Sequence, residues 1–110
     1  MTGPLYSLDR WRQLGEGAGG ENYFLDVKTV EFPGNQPAHL WIKTLKKTLS
    51  YIINSYEIDC KSRRLQTTAA IEYDKDDKVL NDTEVSSGWQ RVIPETRGER
   101  LYNGMCAAKP

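Results

Sequence analysis

Between Tyr51 and Asp74 the sequence YIINSYEIDCKSRRLQTTAAIEYD alternates in polarity twice, and this double alternation restricts the fold more than any other feature of the chain. Ile52, Tyr56, Ile58 and Cys60 share one parity while Glu57 and Asp59 take the other, the period-two pattern of a half-buried strand. Beyond Lys61-Ser62, an odd-numbered set of Leu65, Thr67, Ala69, Ile71 and Tyr73 stands against polar Arg64, Gln66, Thr68, Glu72 and Asp74. Opposed residues of an antiparallel pair lie on one face, so an even set meets an odd set only across a loop with an even number of residues. A two-residue Lys61-Ser62 loop meets that condition, as does a four-residue one, and sets Ile58 opposite Leu65 and Tyr56 opposite Thr67. The expected hairpin has one apolar face and one carrying Glu57, Asp59, Arg64, Gln66, Thr68 and Glu72.

The flanking segments extend this hairpin into a sheet. Residues 1–8, with Gly3 and Pro4, read as a flexible lead-in, and a strand carrying Trp11 follows from Arg10. Gly15 to Gly20, GEGAGG, has the letters of a dinucleotide-binding fingerprint, but that motif must open a helix. Here the strand-like Asn22-Tyr23-Phe24-Leu25-Asp26 follows, so the glycines are expected to form a hairpin loop. Asp26 to Val30 should turn, and Pro33-Gly34-Asn35 should break the chain. Ala38 to Leu45 alternates as a strand, although Trp41, Leu45, Leu49 and Ile52 also recur at helical spacing. Strand, loop at 46–50, then strand is the assignment adopted, because Trp, Ile, Thr and Tyr favour sheet and the hairpin needs a neighbour.

After Tyr73, an Asp76-Asp77 turn would set Leu80 opposite Tyr73 and carry the sheet to Asn81. Asn81-Asp82-Thr83 spells a glycosylation sequon, meaningful only in a eukaryotic secretory pathway. A short extended piece from Trp89 to Ile93 stops at Pro94. Thr96 and Glu99 form a capping-box pair, after which Leu101, Tyr102, Met105 and Cys106 make the single stripe of a helix docked on a sheet. Gly98 and Gly104 weaken that helix by about 1 kcal/mol each relative to Ala. The expected fold is α+β, an antiparallel sheet of about five to six strands with a short C-terminal helix on one face, forming one domain over residues 9–107 with a tail at 108–110.

Charge and composition exclude several functions. Lys+Arg 15 against Asp+Glu 15 leaves no net charge, which argues against a general nucleic-acid binder. Apolar runs are too short to span a bilayer, and no signal peptide or membrane segment is recognisable. His39 is the sole histidine, with no evident serine or cysteine nucleophile beside it in the sequence. Asp74, Asp76 and Asp77 cluster in one expected turn, where nothing predicts the burial that would separate their pKa values. No catalytic residue, cofactor or metal ligand set is expected, since two cysteines and one distant histidine do not make a four-ligand site.

Cys60 sits on the inward face of the hairpin and Cys106 on the inward stripe of the helix. Two buried free thiols would satisfy this arrangement, and so would a disulfide pinning helix to sheet. The disulfide is the expectation, and it implies an oxidising compartment.

Taken together, these pieces resemble the bacterial surface-adhesin protein E-like domain family. The resemblance is carried by the Trp11 strand, Tyr23-Phe24-Leu25-Asp26, Leu40-Trp41-Ile42-Lys43, Tyr56-Glu57-Ile58-Asp59-Cys60-Lys61 running into Arg63-Arg64, then Trp89, Ile93-Pro94, and Gly98-Glu99 leading to Cys106. It implies a small exported envelope protein or lipoprotein, placed in the periplasm, outer membrane or cell surface, with a cysteine pair at Cys60 and Cys106. The family's named member is an adhesin, and the resemblance brings no catalytic motif. The chain departs from the exported pattern in showing neither leader nor lipobox.

The resulting expectation is a non-enzymatic, protein-binding module whose partners are host matrix or envelope proteins. Its candidate binding surface is Lys46, Lys47, Lys61, Arg63 and Arg64, placed in loops and hairpin ends, and its sheet edges are open to strand addition. The alternative is a structural or stress-related envelope protein without a dedicated ligand.

Overall fold

The computed structural model describes residues 10–32, 34, 37–85 and 87–107. Strands β1 (Trp11–Glu16), β2 (Asn22–Asp26), β3 (Ala38–Leu45), β4 (Tyr51–Asp59), β5 (Arg64–Tyr73) and β6 (Val79–Glu84) follow one another as an antiparallel meander, so sequence order is spatial order. A seventh strand, β7 (Gln90–Arg91), returns to pair with β5, and helix α1 (Arg97–Ala107) follows it. This is the expected α+β arrangement. Ala38 to Leu45 is a strand with partners on both sides, β2 and β4, which resolves its mixed periodicity in favour of sheet. The glycine-rich segment closes the β1–β2 hairpin, with the Gly17 N–H donating to the Glu21 carbonyl at 2.8 Å. The lead-in at 1–8, the tail at 108–110, and Pro33 and Asn35 of the expected break lie outside the described residues.

Helix α1 covers one face of the sheet. Ala38, Leu40 and Ile42 of β3 and Tyr56 and Ile58 of β4 meet Leu101, Tyr102 and Met105 of α1, with Val92 beside them. Each large side chain so buried stabilises the fold by about 1.5–3 kcal/mol. The helix starts at its expected cap: the Glu99 N–H donates to Thr96 Oγ1 at 3.2 Å. The Glu99 carboxylate reaches back one residue further than a standard capping box, accepting from the Glu95 N–H at 2.9 Å. Gly98 lets the helix approach closely, since a Cβ there would lie 3.0 Å from Leu65 Cδ2.

The central hairpin has the expected register at its turn, with Ile58 opposite Leu65 and Tyr56 opposite Thr67, and its loop is the four-residue alternative, Cys60 to Arg63. Farther along, the expectation fails. The register shifts between Ser55 and Tyr56, so that Ser55 faces Ala69 and Thr68 is the extra residue of a bulge. One inserted residue inverts every side chain beyond it. Leu65 and Thr67 therefore share the helix side with Tyr56 and Ile58, whereas Ala69, Ile71 and Tyr73 join Ser55, Ile53 and Tyr51 on the opposite side. Glu72, expected on the polar face, pairs with Ile52 on the helix side.

The next turn also differs from expectation. Tyr73 faces Val79, not Leu80, because the loop comprises Lys75 to Asp77, with Asp77 in left-handed backbone at φ 67°. Asp74 shapes that turn by accepting hydrogen bonds from the N–H groups of Asp76 and Lys78 at 2.8 and 2.9 Å, as turn-forming Asp residues do.

Candidate functional site: a basic end and an aromatic face

The β4–β5 turn is fastened to the helix by three contacts. Cys60 and Cys106 form a disulfide, with Sγ atoms 2.03 Å apart. The Tyr102 hydroxyl donates to the Cys60 carbonyl at 2.8 Å, and the Arg63 guanidinium lies 4.8 Å from the centre of the Tyr102 ring, a cation–π distance. Asp59 supports the turn from below, its Oδ1 accepting from the Lys61 N–H at 3.0 Å. The Arg63 carbonyl accepts from the Val92 N–H at 3.0 Å, which draws β7 alongside.

This anchorage determines where the basic residues stand. Lys61, Arg63 and Arg64 are exposed at the clamped end of the sheet, and β7 adds Arg91, directly opposite Arg64. Like charges directly opposed across strands destabilise a sheet. Among the described residues none of these four cations is within ion-pair distance of a carboxylate. Lys46 and Lys47, also exposed, stand in the β3–β4 turn at the other end of β4, roughly 30 Å away at strand rise. Lys46 is 3.9 Å from Glu72. The five residues singled out from the sequence thus form two separate groups. Arg91 was missed because its relevance depends on a two-residue strand that alternation cannot reveal.

The sheet face away from the helix carries a second cluster. Tyr51 and Tyr73 stack at 4.6 Å between ring centres. Lys43 Nζ lies between two rings, 5.2 Å from Trp11 and 4.6 Å from Tyr51. Burial holds the Lys43 ammonium below the ordinary lysine pKa, with Asp77 opposing that shift. Burial likewise pushes the Tyr51 hydroxyl above its usual value, reinforced by the hydrogen bond that it donates to Asp77 at 2.8 Å. At the margin of this face, Asp26 is 2% exposed and accepts from Arg10 at 3.0 and 2.9 Å, from Thr29 Oγ1 at 2.7 Å and from the Lys28 N–H at 3.0 Å. Desolvation alone would raise its pKa, but these hydrogen bonds outweigh it and hold the carboxyl below the ordinary range.

His39 does have a serine beside it: Ser55 Oγ is 2.8 Å from Nε2, a neighbour supplied by β3–β4 pairing and hidden from linear spacing. Glu31 Oε1 stands 3.9 Å from Nδ1. The letters are those of an acyl-transfer triad, but the described residues do not hold them in a triad's geometry. Ser55 is 3% exposed and already accepts from Thr68 Oγ1 at 2.9 Å. Its strand pairs on both edges, so its backbone N–H groups serve the sheet and not an oxyanion. The glutamate is too distant to orient the imidazole through a hydrogen bond. The group joins strands β3, β4 and β5 through side-chain contacts. Asp74, Asp76 and Asp77 shape a turn, and no helix among the described residues is long and apolar enough to cross a membrane.

Residues 11–107 match the sequence model of the family described as surface-adhesin protein E. No curated protein and no solved structure matches the chain.

Proposed function

Because the chain belongs to the surface-adhesin protein E family, from Trp11 to Ala107, we propose that it is an exported, non-enzymatic module that binds an acidic segment of a host matrix or envelope protein through Lys61, Arg63, Arg64 and Arg91. The observation that carries this reading is the opposition of Arg64 and Arg91 in register, flanked only by the cross-strand neighbour Asp59 on β4 and with no carboxylate of the described residues within ion-pair distance of either arginine. Acidic side chains of a partner would add the ion pairs that this end of the sheet does not make for itself, and a clamped turn loses little freedom when it binds. Lys46 and Lys47 are a second contact for a ligand long enough to cross the sheet. The Cys60–Cys106 disulfide supports an oxidising, exported setting.

The test is a binding panel of immobilised host matrix and envelope proteins, using the oxidised chain and the triple variant Lys61→Glu, Arg64→Glu, Arg91→Glu. Saturable, salt-sensitive binding by the native chain and a loss of about tenfold or more in the variant are expected. Thermal unfolding of both proteins establishes that each is folded. Native binding that survives the charge reversal would reject the basic end as the contact. No saturable binding across the panel would leave the structural envelope role in its place.

A further inference from the structure

On the helix side of the sheet, away from the basic end, a cleft of about 360 Å³ opens between α1 and strands β1 to β3. Its floor is apolar, made by Leu40 and Ile42 of β3 with Met105 of α1. Leu14 and Phe32 line its lips and are each 48% exposed. Arg12, Arg97 and Arg100 also line it, against one carboxylate, Glu16, a cationic surplus in a chain whose formal charge is zero. Arg97 is held in place, donating to the Tyr56 hydroxyl at 3.1 Å and lying 5.1 Å from the Tyr23 ring centre. The Arg12 and Arg100 side chains form no hydrogen bond or ion pair among the described residues.

A volume of this size lies at the lower end of small-molecule sites and is too confined for the broad contact of a protein interface. Aliphatic walls suit a methylene chain, and a guanidinium pairs with a carboxylate through two parallel hydrogen bonds. We propose that this cleft binds a free medium-chain fatty acid, its alkyl chain along Leu40, Ile42 and Met105 and its carboxylate among Arg12, Arg97 and Arg100. None of the residues assigned to protein binding takes part, so this site and the basic end stand or fall separately.

Calorimetric titration of the oxidised chain with dodecanoate below its micelle concentration tests the assignment. One saturable site is expected, with dodecanol weaker by about tenfold or more because it carries no charge for the arginines. The double variant Arg12→Gln, Arg100→Gln should weaken dodecanoate by a similar factor. Gly104→Leu should abolish binding without loss of folding: Gly104 lines the cleft, and a Cβ added there meets no atom within 4 Å. Thermal unfolding confirms that the variants are folded. The proposal is overturned by an absence of saturation in folded protein, by equal affinity for dodecanol, by binding that Gly104→Leu leaves intact, or by association with phosphatidylglycerol vesicles alone.

Discussion

The two faces of this sheet are built from the same strands and each carries an apolar cluster, yet the two clusters are stabilised differently. On the helix side Ala38, Leu40, Ile42 and Ile58 are no more than 1% exposed, and a disulfide holds the covering element in place. On the other side Trp11, Trp41, Tyr51, Ile53, Ile71 and Tyr73 are half-buried, and no described element covers them. There the side chains cover one another through cross-strand stacking and the Lys43 cation–π contacts. The difference teaches that a second layer, more than hydrophobic content, decides which face becomes the core. Removing that layer should therefore have the largest effect.

The double variant Cys60→Ser, Cys106→Ser tests this directly. A sequence separation of 46 gives about 4 kcal/mol in the chain-entropy account, which for a domain of this size lowers the melting temperature by about 15 °C or more. Thermal unfolding of oxidised native protein against the variant measures the loss. A change of under about 1 kcal/mol would mean that the helix layer holds without its covalent tie.

Paired truncations then sharpen the contrast between faces. Ile58→Ala removes a side chain at 0% exposure beneath the helix and should cost about 3 kcal/mol or more. Ile71→Ala, on the half-buried face, leaves no enclosed cavity and should cost about 1 kcal/mol. Urea midpoints of the two variants give the comparison. Equal losses would show that the aromatic face is as tightly enclosed as the core.

The same contrast explains what could be read from the sequence. Strands β1 to β6 and the helix stripe follow from alternation, capping and parity, all of which are local signals, and these put Cys60 and Cys106 on facing surfaces, where a disulfide is the preferred of two readings. Thr68 was not legible as a bulge, because nothing in QTTAAIEY distinguishes an inserted residue from a regular one, and the insertion moves Ala69, Ile71 and Tyr73 to the second face. An unused signal lay in Tyr51 and Ile53, apolar residues of the opposite parity to Ile52, which fit a strand with two apolar faces and not the half-buried strand expected. Of the candidate site, Lys61, Arg63 and Arg64 were visible as a basic turn. Arg91 and Ser55 gain their neighbours only through strand pairing, which spacing along the chain does not encode.

A smaller effect belongs to the rim of the open face. Asp26 is held below its ordinary value of 3.8 by its hydrogen bonds despite burial. Its ionised form is therefore favoured in the folded chain, and the associated stability is full above the unfolded value and is lost as pH falls through the lower folded value. Asp26→Asn should cost about 2 kcal/mol at neutral pH, chiefly through the weakened Arg10 pairing. Urea midpoints between about pH 5 and 2 should fall less steeply in the variant than in the native chain. Parallel acid profiles would show that Asp26 is not an origin of the acid sensitivity.

The two helix glycines provide the finest test, because they differ in what lies beneath them. Gly98 is at the second position of α1, and a Cβ there would lie 3.0 Å from Leu65 Cδ2, so the gain in helix propensity on Gly98→Ala is offset by the displacement that Leu65 must make. Its net effect should be close to zero. Gly104 is inside the same helix with nothing within 4 Å of an added Cβ, so Gly104→Ala should stabilise by about 0.5–1 kcal/mol. Thermal unfolding of the two single variants separates these cases. If both alanines stabilise equally, Leu65 yields without cost and the helix layer is less tightly seated on β5 than the contact at Gly98 implies. If Gly98→Ala destabilises while Gly104→Ala stabilises, the close approach of α1 to the sheet is itself part of what makes this face the core.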